Sequence, residues 1–154
     1  MVKLKLFKSY CSSMYGAELW ALNSDYIETF CVAWRKTLRC ILLLPYNCHS
    51  YFLPTPSDTL PVYDEICKRS MKFTASFLVS SSKLVKSNAS YCIMFGRSNS
   101  VWGTNALSCC DRYSWSLSEL VSNPEQIKYF SFNCWHFNNL SDTQKITPVL
   151  CLNC

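Results

Sequence analysis

Glycine is nearly absent from this chain: there are three, at positions 16, 96 and 103. That is too few and too scattered for a Gly-rich phosphate loop. Acidic residues are also scarce, ten in 154, and no Asp-Asp pair occurs. Metal-dependent polymerases and nucleases hold their ions with close carboxylates, so that chemistry lacks its ligands here. The one adjacent pair, Asp64-Glu65, falls at an expected helix start and reads as the complement of the helix dipole. There are two histidines, His49 and His136. Neither has a Ser or Cys partner at a known nucleophile–base spacing, and side chains as close in sequence as Cys48 and His49 do not face each other on regular structure. These absences predict a chain that is not an enzyme by itself and takes no cofactor. The longest aliphatic run, Ile41 to Leu44, is too short for a bilayer, so no membrane partner is expected.

Charge is sparse as well, at 16% of residues against about a quarter in ordinary soluble domains. What fills the chain instead is hydrophobic (49%), including 9 Phe, 9 Tyr and 5 Trp. This excludes wholesale disorder and implies apolar surface to be covered. The net charge of +5 is uneven. Residues 1–97 hold twelve Lys/Arg against six Asp/Glu, whereas the remainder holds three against four. A basic front suits a polyanion, and a solvated face gives the same count. Eleven cysteines is an odd number. The opening residues alternate Lys with apolar residues and contain no signal-peptide core. Reduced thiols in an intracellular setting, cytoplasmic or nuclear, are therefore expected.

Hydrophobic spacing predicts a mainly α protein, a small helical bundle or open helical fragment with a poorly ordered C-terminal tail. Residues 3–21 read as one amphipathic helix, with Gly16 weakening its last turn. Asn23-Ser24 then caps and restarts the chain. Ile27, Phe30, Cys31, Trp34, Leu38, Ile41 and Leu42 keep to one stripe of a second helix, ended by Pro45. Residues 45–61, with four prolines, read as an ordered but irregular connection. Pro61 opens a further helix in which Val62, Ile66, Phe73 and Phe77 recur on one side. Residues 80–90, rich in Ser and Lys, read as a linker, and a short helix is expected over 106–113. The expected division is a helical segment 1–120 and a weakly structured tail 121–154.

Two constellations stand out. Arg35, Lys36 and Arg39 flank Trp34, and Lys68, Arg69 and Lys72 follow on the next helix. Such rows contact nucleic-acid phosphates without reading sequence, and two solvated helix faces are the plain alternative. If the helices pack antiparallel through Trp34, Leu38, Ile66 and Phe73, the two rows border one groove. The second is Cys134, His136, Cys151 and Cys154, which have zinc-ligand types but not a standard finger spacing. The reading without a metal is a reduced tail. Cys109-Cys110 reads as helix packing.

Five blocks carry a resemblance: LFKSYCSSMYGAELW (6–20), AWRKTLR (33–39), LPYNCHS (44–50), LPVYDEICKR (60–69) and NALSCCDRYSW (105–115). In this order they resemble the segment that follows the polymerase core in non-LTR (LINE-type) retrotransposon reverse transcriptases, over residues 4–120. The stretch 33–50 is the most specific. The resemblance implies a helical thumb and post-thumb region that grips an RNA or DNA duplex through its phosphates, beside the rest of a polymerase. Cys40 stands where the pattern has a basic residue, and Thr104 departs from a usual Gly-Arg-Asn. The family's Tyr-x-Asp-Asp box and endonuclease lie upstream of the resembling segment, so no catalytic residue carries over. A truncated or decayed element copy accounts for this set. Its alternative role is an inactive structural remnant whose apolar faces bind protein.

Overall fold

A computed structural model describes residues 2–11, 13–95 and 100–129, and these form helices and connections with no strand among them. The chain is mainly α, as its periodicity predicts. Helix α1 (Val2–Cys11) buries Phe7. It ends well before residue 21, because Met14 and Gly16 adopt left-handed backbone (φ 36° and 74°) that an α-helix cannot contain. A single 3₁₀ turn over Ala17–Leu19 follows. Helix α2 (Asp25–Leu42) buries Ile27, Cys31, Trp34 and Leu38, with Phe30, Ile41 and Leu42 half-buried at the edges of the predicted stripe. It stops at Leu43, which turns left-handed while the Leu44 N–H donates to the Arg39 carbonyl. Pro45 therefore lies beyond the stop rather than at it.

Residues 45–61 are ordered, as the prolines imply. They contain a 3₁₀ turn (Ser50–Phe52) and the one-turn helix α3 (Pro54–Ser57). Ser57 is buried there, its hydroxyl 2.6 Å from both the Leu53 carbonyl and the Thr59 hydroxyl. Helix α4 (Val62–Leu78) is the centre of the fold. Its buried residues, from Val62 and Asp64 through Ile66, Cys67, Met71 and Ala75 to Leu78, spread over an arc of roughly 220° at 100° per residue. A helix with so wide a buried arc must be covered on several sides. The 17–19 turn, α2, α5, α6 and α8 supply that cover.

The segment 80–90 is not a linker. Lys83–Phe95 forms helix α5, with Ala89 and Ile93 buried against α4 and α6. Its inward residues are spaced four apart, at 85, 89 and 93, while Lys83, Lys86 and Ser87 are exposed. Helix α6 (Val101–Arg112) begins a turn and a half before the predicted 106–113. Ser100 caps it, accepting from the Gly103 N–H. Small buried residues, Gly103, Ala106, Cys109 and Cys110, let it lie close to its neighbours, so both adjacent cysteines are enclosed. Helix α7 (Leu117–Ser122) starts on a complete Ser116/Glu119 capping box, and α8 (Gln126–Tyr129) follows. Leu120 and Ile127 belong to the core, so the packed chain runs past residue 120. No helix among the described residues is long and apolar enough to cross a membrane.

Asn105 ties the two halves together. Its amide donates to the part-buried Trp20 carbonyl (2.7 Å) and accepts from the buried Leu22 N–H (3.0 Å), groups of a turn that no helix satisfies. Asn105→Ala leaves both unpaired and should cost about 1–3 kcal/mol. Ser108→Ala, which removes an exposed bond to Asn23, should cost under about 0.5 kcal/mol. Urea titrations of the two variants check this; equal midpoints would mean that Asn105 does not hold the segment.

Candidate nucleic-acid interface

The first basic row lies on α2, a quarter-turn and more from the buried Trp34. Arg35 is half-buried rather than free: its guanidinium reaches back to the Glu28 carboxylate at 2.8 Å. Arg39 also has structural partners, donating to the Cys48 carbonyl (3.0 Å) and the Ser50 hydroxyl (2.9 Å). It thereby fastens the connection after α2 to the helix. Lys36 points outward and bonds to no described residue. On α4, Lys68 (3.7 Å) and Arg69 (3.2 Å) pair with Glu65, and Arg69 also donates to the Ser13 carbonyl at 2.5 Å. Lys72 is exposed and bonds to no described residue. Arg69 thus holds the broken end of α1 against α4.

The rows do not border one groove. Arg35 lines a 250 Å³ cavity between α2, the 50–61 connection and α4. Lys68 and Arg69 line a separate 320 Å³ hollow with Lys8 and Asp58. Trp34, Thr59 and Leu60 stand between the two and contribute to both. The reason is local. The 45–61 connection folds back over Trp34 and fills the space that an antiparallel helix pair would have left open. Phe73, expected at that contact, instead packs edge-on against Phe77.

The residue pattern did not single out the groups at the first cavity's inner end. Asp64 lies in the first turn of α4, where the dipole favours an acid, but its side chain turns inward and is only 13% exposed. One carboxylate oxygen accepts from Arg112 Nε (3.0 Å), Arg112 Nη2 (2.9 Å) and the Tyr113 hydroxyl (2.7 Å). The Arg112 guanidinium also lies 4.8 Å over the Tyr63 ring. Glu65 is the member of the acidic pair that faces outward. The available signal was phase: Asp64 falls on the same side of α4 as Cys67 and Met71. At the cavity's outer rim, the Tyr51 ring lies 4.2 Å from Phe52 and 5.4 Å from His49. His49 thus joins an aromatic stack and is not beside a nucleophile.

Burial shifts several protons. It works against the charge on Arg112, but the Asp64 carboxylate and Tyr113 together outweigh that and raise the net value. Burial raises Tyr63 to about 12 and also raises Tyr113. Cys67 and Cys109 share a hydrogen bond between α4 and α6, which holds Cys67 down and, with burial, pushes Cys109 up. Burial raises Cys31, and Cys110 to about 11. Among the described residues no cluster of three or more His, Cys, Asp or Glu could hold a metal. Cys134, His136, Cys151 and Cys154 lie outside the described residues. No protein-family model, curated protein or solved structure matches the chain.

These shifts give the fold an alkaline limit. Thiols and phenols that keep their protons when folded release them earlier when unfolded, near about 8.5 and 10. Their stabilising effect is complete below those values and is lost as pH rises toward about 11 for Cys110 and about 12 for Tyr63. The urea midpoint should fall steadily from pH 8 to pH 11.5, and Tyr63→Phe should flatten the upper part of that fall. A midpoint independent of pH would show that these groups titrate as freely in the native state as in the unfolded one.

Proposed function

We propose that this chain is a non-catalytic, thumb-like segment of an RNA-directed DNA polymerase of the non-LTR retrotransposon type. In this reading it contacts the backbone of a template–primer duplex inside the cell. The observation that carries the reading is the difference among the six predicted cations. Arg35, Arg39, Lys68 and Arg69 make bonds that shape the fold, whereas Lys36 and Lys72 project from α2 and α4 without a protein partner among the described residues. Exposed, unpaired ammonium groups on two rigid helices offer point charges to phosphates and read no bases. The resembling blocks support the same reading. Blocks distant in sequence (60–69 and 105–115) meet through Asp64, Arg112 and Tyr113, as parts of one folding unit do.

A second reading also has an observation of its own. Leu84, Tyr91 and Phe95 lie on the outer side of α5, each more than half exposed, and the Tyr91 and Phe95 rings stack at 5.3 Å. An inactive remnant would use this face for protein association, the rest of a polymerase included. Salt separates the two, because phosphate contacts release counterions and apolar contacts do not.

Binding to a hairpin duplex should weaken with salt at a log–log slope of about −2, alike for different sequences. Lys36→Gln with Lys72→Gln should shallow the slope by nearly two units. An unchanged slope would return these lysines to the role of solvated surface. A primer-extension assay with magnesium and deoxynucleotides should give no product, since no paired carboxylates are available to hold two metal ions. Any extension above background would contradict the non-catalytic reading.

A further inference from the structure

We propose that the cavity between α2 and α4 takes an unpaired nucleobase, so that the chain grips a duplex next to a single-stranded end. This rests on the nucleic-acid reading above and adds a site to it. At 250 Å³ the cavity is smaller than the roughly 300–1,000 Å³ of pockets for drug-sized ligands, and suits one flat ring system. Its walls are mostly apolar, from Leu38, Leu53, Pro61 and Val62. Tyr51 lines the cavity, is 40% exposed and packs beside the Phe52 and His49 rings, so an aromatic group is held where a base could stack.

The polar end of the cavity selects among flat ligands. Asp64 lines it, and Arg112 and Tyr113 all bond to the same oxygen, Oδ1. Oδ2 receives no hydrogen bond from any described residue, and the side chain is not fully enclosed. It is a fixed acceptor awaiting an N–H donor. The nearby charges cancel in pairs, Asp64 with Arg112 and Glu28 with Arg35, so neither a cationic side chain nor a free phosphate gains a net field. A neutral ring with amino or ring N–H donors on its edge matches both the stack and the acceptor. Guanine offers both kinds of donor on one edge.

The test compares three hairpins: blunt, with a three-nucleotide guanine overhang, and with the same overhang made abasic. Fluorescence anisotropy with the full chain should give about tenfold tighter binding for guanine than for abasic. Tyr51→Ala should bring that ratio close to one, and Tyr51→Trp should retain it; the exposed ring keeps both variants clear of the core. Equal binding of guanine and abasic overhangs, or a ratio that survives Tyr51→Ala, overturns the pocket. If the blunt hairpin still binds with a steep salt slope in that case, the backbone reading stands without it. If no hairpin binds, both readings fail, and saturable binding of an arginine-rich peptide would then assign the cavity to protein.

Discussion

Helix α4 is buried over so much of its circumference that the rest of the chain is arranged to cover it. A helix of 17 residues with nine buried positions cannot remain folded as a surface element. The cover comes from parts far apart in sequence: the turn after α1, the stripe of α2, and helices α5, α6 and α8. Polar groups fix how these parts sit. Asn105 holds the turn before α2, Arg69 holds the turn after α1, and Trp102 donates to Thr74 on α4 at 2.7 Å. The Asn105 and Trp102 bonds satisfy partly buried groups that packing alone would leave short of water.

The same arrangement assigns the cations their parts. A guanidinium has five donors and a planar fork, so it suits carbonyls and carboxylates at the seams of the fold. Three arginines, Arg39, Arg69 and Arg112, occupy such seams. Lys36 and Lys72, which bond to no described residue, remain at the surface. Asp64 then serves two ends at once: one oxygen ties α4 to the end of α6, and the residue also lines the cavity beside α2. A structural ion pair of this kind fixes an acceptor in place at the inner end of an apolar hollow.

Legibility followed the strength of local signals. The α2 stripe was clear because four buried residues recur at helical spacing, and burial follows that spacing. Helix α5 was hidden because Ser and Lys dominate the stretch 80–90 that holds its first half, while its buried face is carried by few residues, chiefly Ala89 and Ile93. The start of α7 was written in Ser116-x-x-Glu119, a capping box that composition-minded reading passes over. The break in α1 was half legible: Gly16 marked a weak point, but the left-handed Met14 that ends the run has no sequence signature. Of the candidate site, the six cations were legible as charges. Their partners were not, since Glu28, Cys48, Ser50 and Ser13 become neighbours only by folding.

The sequence by itself determined the helical class, the inward face of α2, the ordered proline connection and the lack of paired carboxylates, because each depends on spacing within one segment. Only the tertiary structure decided that Arg35 lines one hollow and Lys68 and Arg69 another, and that Asp64 turns inward to Arg112 and Tyr113 while Glu65 does not. It also decided that Tyr51 stands at the rim of a cavity. These depend on how the 45–61 connection folds over Trp34 and on residues 48 positions apart meeting. Periodicity reports which side of an element is apolar; it carries no information on which other element will cover that side.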